Sequence, residues 1–175
     1  GAFGGLRTGE MLALRRNDVD PLHGIVNVKR QSQRVAGRGL MVTPPKSEAA
    51  VRSVTLPRTI VEELEQHLGL YVGTSSDSLL FTSSRGAPVR RATLAAAWHE
   101  ACRIVGIEAV RIHDLRHFAA ISMARMPGIA TKEIMQRIGH SNPQAALRYQ
   151  HATQVRDADI ASYLDAQLAD DRAGE

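Results

Sequence analysis

The sequence predicts an α+β chain, mainly α-helical, with a small three-stranded antiparallel sheet near the N-terminus. Two observations predict this. Apolar residues recur at helical spacing through 57–71, 90–105 and 113–126. Short alternating runs, GIVNVKR at 24–30 and RSVTL at 52–56, sit between turn-forming residues close to the start of the chain. At 175 residues the chain is long enough to form one domain with its own core.

The elements follow in order. Residues 9–16 read as a helix that turns Met11, Leu12 and Leu14 inward, with Arg7 at its N-terminal edge. Residues 17–22 read as a turn. Three strands are expected at 24–30, 40–43 and 52–56, with 31–39 as a polar loop. Pro44-Pro45-Lys46-Ser47 interrupts the second and third strands and puts Lys46 on a hairpin. A helix over 57–71 buries Ile60, Val61, Leu64 and Leu68 and turns Glu62, Glu63 and Glu65 to solvent. Residues 79–82 are short and extended. A helix from Arg90 or Arg91 to Val105 carries Trp98 and Cys102 as core residues.

The stretch 111–151 holds the densest chemistry. HDLRHFAAISMARM fits an amphipathic helix through Leu115, Phe118, Ala119, Ile121 and Met126, closed by Pro127-Gly128. His113 and Arg116, three residues apart, share one side of it. A short helix from Thr131, its N-cap, to Ile138 ends at Gly139, where a left-handed C-cap is wanted. His140 falls just past that end. Asn142-Pro143 opens a third helix, and Tyr149 lies near its end. Three potential cations or donors beside a phenol suit a phosphodiester attacked by a tyrosine oxygen.

Charge agrees with a polyanionic partner. The net charge is +4, but residues 1–60 hold ten Lys/Arg against four Asp/Glu, and 111–151 hold six against two. The remaining stretches are net acidic. The basic regions are those that carry the candidate site, as expected for a nucleic-acid surface. A single cysteine rules out an internal disulfide and fits a reducing compartment. No run of about 18 apolar residues suggests a membrane span, and no signal peptide is visible. A cytoplasmic, nucleoid-associated protein is expected.

HDLRH, then IGHS, then a tyrosine nine residues beyond that histidine in LRYQH, resembles the catalytic domain of tyrosine recombinases, the phage-integrase family. GGLRTGEMLALR resembles the family's first arginine box, and TPPKSEAAVRSVTLP its hairpin lysine segment. The resemblance implies that fold and the catalytic set Arg7, Lys46, His113, Arg116, His140 and Tyr149, with Tyr149 as nucleophile. It implies that Glu10 supports the first arginine. It also implies a 3′-phosphotyrosine intermediate on double-stranded DNA, no energy cofactor, and a homotetramer in the synaptic complex. Residues 1–175 would then be a catalytic-domain fragment without its upstream DNA-binding domain. Residues 152–175 would form a tail helix that packs on a neighbouring protomer.

The residues imply no metal. His113 and His117 have i,i+4 spacing, but HDLRH lacks the glutamate of HExxH, and Arg116 between them repels a cation. GxSxG, GxGxxG and Walker A patterns are missing, which removes the common hydrolase, dinucleotide and NTPase readings. Two alternatives stand beside the recombinase: a type IB topoisomerase-like enzyme, and a nonenzymatic DNA-binding relic of an integrase.

Overall fold

The structure is a computed structural model that describes residues 1–45, 47–107 and 110–140. Two small sheets come first and the longer helices follow. Helix α1 (Thr8–Met11) is a single turn. Strands β1 (Val19–Asp20), β2 (Ile25–Val28) and β5 (Arg52–Thr55) form a three-stranded antiparallel sheet in the order β1-β2-β5. Strands β3 (Gln31–Val35) and β4 (Gly39–Thr43) form a separate antiparallel pair. Helices α2 (Arg58–Leu70), α3 (Arg91–Ile104), α4 (Ile112–Ala124) and α5 (Thr131–Ile138) complete the described chain.

The mixed class and the three-stranded sheet agree with the sequence, but the membership of the sheet differs. Its third strand is β1, in a stretch expected to be a turn, paired to β2 through Val19↔Val26 and Asp20↔Ile25. The expected strand at 40–43 leaves this sheet and pairs instead with QSQRV at 31–35, which reads as a loop. QSQRV carries little apolar alternation, so only its partner makes it a strand. β4 and β5, the strands that flank residues 44–51, therefore belong to different sheets and do not pair with each other.

Helix α1 stops early for a packing reason. Leu12, Ala13 and Leu14 are all buried, and three consecutive residues cannot share one helix face. The chain extends instead. Leu80 N–H donates to the Leu14 carbonyl at 2.9 Å, and Arg16 N–H to the Ser78 carbonyl at 2.8 Å.

The main core joins the three-stranded sheet to α2. Val26, Val28 and Val54 pack with Leu6, Leu14, Leu68, Val72 and Leu80. A second, smaller core lies between α4 and α5, where Ala120 and Ala124 meet Ile134 and Ile138. Here the structure revises the α4 reading. The buried face runs through Arg116, Ala119, Ala120 and Ala124, whereas Phe118 and Met126 are exposed. The inward row is made of small residues, which lets α5 approach and leaves room for a buried arginine. The helix ends at Ala124, short of Met126, because a residue before proline avoids the α region. Trp98 is only half-buried; its indole N–H donates to the Val110 carbonyl at 2.8 Å.

Candidate active site

Arg7 occupies the N-cap of α1, with its backbone N–H on Glu10 Oε2 at 2.8 Å. Its guanidinium is divided between two anchors. Nη1 donates to Glu10 Oε1 at 2.8 Å, and Nη2 to the Gly139 carbonyl at 2.7 Å. The Arg7 side chain keeps 36% of its exposure, and its other guanidinium N–H groups make no hydrogen bond among the described residues.

Arg116 comes from the opposite direction. It is buried on α4, and Nη1 donates to the Gly5 carbonyl, two residues before Arg7. Gly5 adopts φ +62°, and a Cβ there would lie 2.9 Å from Ile138 Cγ2. Only glycine offers this carbonyl to Arg116 while letting α5 close over it.

Helix α5 delivers His140. Its start differs in detail from expectation: Ala130 is the N-cap, and its N–H is held by Glu133 Oε2 at 2.7 Å. Its end is as expected. Gly139 is left-handed at φ +66°, ψ +50°, and His140 N–H returns to the Met135 carbonyl at 2.9 Å. His140 thus sits on a fixed turn beside Arg7. Its pKa is pushed down to about 4, first by burial and then by the charges of Arg116 and Arg7. At neutral pH it is an uncharged imidazole, with its Nδ1 buried and unbonded among the described residues.

His113 precedes Arg116 by one helical turn on α4. It is exposed in the first turn of α4, and its ring meets His117 edge-on at 4.8 Å between centroids. Burial, then the charges of His117 and Arg116, lower its pKa. His117, expected to be structural, also bears electrostatically on His140.

Sequence reasoning passed over Arg52. On β5 it shares the buried face with Val54. Nη2 donates to Glu10 Oε2 at 2.9 Å and Nη1 to Glu10 Oε1 at 3.2 Å. Nε donates to the Arg137 carbonyl at 2.7 Å. The strand's own alternation was the available signal, because it puts an arginine inward beside a core valine. Burial pushes the Glu10 carboxyl upward, but the bonds from Arg52 and Arg7 outweigh it and hold the group below its ordinary value. Glu10 is thus a buried carboxylate that accepts from two guanidinium groups, in keeping with the support expected of it.

A sequence model of the phage integrase family matches residues 3–156. The chain belongs to the phage integrase family. It is 42% identical over 171 residues to a putative prophage phiRv2 integrase of Mycobacterium tuberculosis, covering 95% of this chain and 44% of that protein. It is 32% identical to the integrase of Mycobacterium phage D29, covering 91% of this chain and 43% of that one. The chain therefore spans less than half the length of these relatives. Among solved structures, the Tn1549 transposon integrase in complex with circular intermediate DNA superposes with a TM-score of 0.77 at 22% identity, covering 93% of this chain and 56% of that one. XerA recombinase superposes with a TM-score of 0.68 at 27% identity, covering 93% and 54%. The fold is that of tyrosine recombinase catalytic domains.

In this chain the expected set divides into three groups. Arg7, Arg116 and His140 are brought together from three distant stretches. His113 lies one helical turn before Arg116 on α4. Lys46 and Tyr149 lie outside the described residues, as do the third helix after Asn142 and the tail at 152–175. Among the described residues, no group of three or more His, Cys, Asp or Glu side chains is placed to hold a metal ion, and no helix is long and apolar enough to cross a membrane.

Proposed function

We propose that this chain carries the strand-breaking and strand-joining chemistry of a site-specific DNA recombinase. The observation that carries the reading is the convergence of Arg7, Arg116 and His140, with Arg7 held by the buried carboxylate of Glu10 and the Gly139 carbonyl, and Arg116 by the Gly5 carbonyl. One buried anion facing Arg7 and Arg52 leaves the cluster net positive, as a phosphodiester site requires.

The roles follow from the chemistry. Arg7 and Arg116 donate to the non-bridging oxygens and stabilise the charge that builds there in the transition state. Neutral His140 adds a hydrogen bond through a ring N–H, because an imidazole with a pKa of about 4 keeps one donor nitrogen at neutral pH. Tyr149 attacks phosphorus and forms a phosphotyrosine link to the DNA 3′ end as the bond to the 5′ oxygen breaks. A free phenol has a pKa of about 10 and needs a base. His113, exposed and with a lowered pKa, accepts that proton or orients the phosphate. Lys46 protonates the departing 5′ oxygen. A 5′ hydroxyl from a second strand reverses the attack. The phosphodiester energy is conserved, so no nucleotide cofactor enters.

The phage and prophage integrases among its relatives favour strand exchange over topoisomerase-like relaxation. Solved neighbours in complex with DNA support double-stranded DNA as the substrate. The working assembly would be a homotetramer on paired DNA sites, in the compartment that holds the nucleoid.

The test is covalent trapping with the full-length protein. The substrate is a nicked duplex spanning the junction between the encoding element and its host chromosome. A denaturation-resistant adduct mapping to the Tyr149 peptide is expected, and Tyr149→Phe should remove it while still binding the duplex. DNA binding without an adduct, or an adduct that survives in Tyr149→Phe, overturns the assignment.

A further inference from the structure

We propose that Arg52 is a positioning residue for Arg7, acting through Glu10 and through the carbonyl end of α5. This rests on the reading of Arg7 as a ligand of the scissile phosphate. Arg52 touches no reacting atom in that scheme. Its guanidinium is turned inward, with 4% of its side-chain surface exposed.

The bonds close a circuit. Arg7 reaches Glu10 and the Gly139 carbonyl. Arg52 reaches the same Glu10 carboxylate, the Ala50 carbonyl at 2.9 Å and the Arg137 carbonyl. The carbonyls of Arg137 and Gly139 belong to the C-terminal end of α5, where helical hydrogen bonding runs out and the helix dipole is negative. Two arginines from elsewhere in the fold satisfy them. Gly139 also rests directly on Arg52: a Cβ there would lie 2.8 Å from Arg52 Nη1 and 3.1 Å from Cζ. Arg52 is thus the floor beneath the turn that presents His140 and that anchors Arg7 Nη2.

Two features separate this from an ordinary buried ion pair. Glu10 could neutralise Arg7 without help, and a second buried guanidinium adds a desolvation cost. That second cation also frees Arg7, because Glu10 shares its charge and Arg7 keeps donors for an incoming phosphate. In addition, Arg52 lies six residues beyond Lys46, at the start of β5. One side chain therefore ties the segment after Lys46 to both Arg7 and the His140 turn.

The test is a double-mutant cycle in the full-length protein on the same nicked junction duplex. It reads the single-turnover rate of adduct formation and, separately, DNA affinity. Arg52→Met should slow adduct formation about a hundredfold, the scale of a misplaced reacting group. DNA affinity should change by no more than about threefold, since phosphate contacts elsewhere dominate binding. Arg52→Lys, which can pair with Glu10 but lacks the fork that also reaches the α5 carbonyls, should recover part of the rate. In an Arg7→Lys background, adding Arg52→Met should cost less than about threefold more, because groups acting as a unit are non-additive. If Arg52→Met fails to fold by circular dichroism, Arg52→Lys takes its place in the cycle under the same criterion. Losses that multiply, or an Arg52 variant at the wild-type rate, overturn the positioning role. Wild-type rates in Arg7→Lys alone overturn the phosphate reading of Arg7 and this inference with it.

Discussion

Arg7 Nη2 donates to the Gly139 carbonyl at 2.7 Å, across 132 residues of sequence. This bond joins the first arginine box to the turn that carries His140. Arg137 strengthens the join: its Nη2 reaches the Thr55 carbonyl at 2.7 Å and the Phe3 carbonyl at 3.2 Å. Arginine side chains on backbone carbonyls, rather than a large apolar core, hold the candidate site together.

Arg7 and Arg116 should act on the rate of cleavage more than on affinity. Arg7→Ala is expected to slow adduct formation by about 10²–10³-fold, the usual loss when one donor to a developing oxyanion is removed. Arg116→Ala should lose at least as much, because it also abandons the Gly5 carbonyl. Single-turnover trapping checks both. A drop below tenfold in either variant would remove that arginine from the phosphate.

Gly139→Ala should damage the site by strain. A left-handed non-glycine residue costs about 1–2 kcal/mol. The added methyl would also meet Arg52 and the Ala49 carbonyl, the latter at 3.2 Å. Denaturant unfolding should show a loss of at least the conformational cost. Adduct formation should fall with it, because both His140 and the Arg7 anchor shift. An unchanged midpoint would mean that the turn relaxes freely.

Stability should fall in mild acid through His140. Its folded pKa of about 4 lies below its ordinary 6.5. The unfolded chain therefore binds a proton at this position before the folded chain does. The contribution is fully present above pH 6.5 and drains away as the pH falls toward 4. His113, lowered in the same direction, adds to the effect. Denaturation midpoints between pH 7 and 5 should decline less steeply in His140→Gln than in the wild type. Parallel curves would assign the decline to other groups.

Lys46→Ala should be selectively rescued. A 5′-bridging phosphorothiolate leaves as a thiolate and needs no proton, so a missing general acid costs little with it. Adduct formation by Lys46→Ala should approach wild-type rates on that substrate and remain slow on ordinary DNA. Slow cleavage on both would take the general-acid role away from Lys46.

The local features of this chain could be read from its residues. Helix α5 runs from Thr131 to Ile138 and closes on a left-handed Gly139, as its spacing and glycine require. Helix α2 shows its three glutamates to solvent. Arg7, His113, Arg116 and His140 stand out as candidates because each sits in a short contiguous pattern. Such features depend on neighbours a few residues apart, and a sequence displays those directly.

Pairings across the chain were decided by tertiary structure. QSQRV becomes a strand because GLMVT lies beside it, and Val19–Asp20 joins the sheet because β2 needs a partner on that side. Arg116 is buried against the Gly5 carbonyl and Phe118 is left exposed, because α5 packs closely on the alanine face of α4. Arg52 shows no motif of its own. Its importance comes from Glu10, Arg137 and Gly139, which meet it only once β5, α1 and α5 are assembled. The sequence by itself determined which side chains are candidates for the proposed phosphate chemistry. Folding decided which carbonyls and carboxylates hold them, because a buried charge takes whatever partner the packing brings within hydrogen-bonding distance.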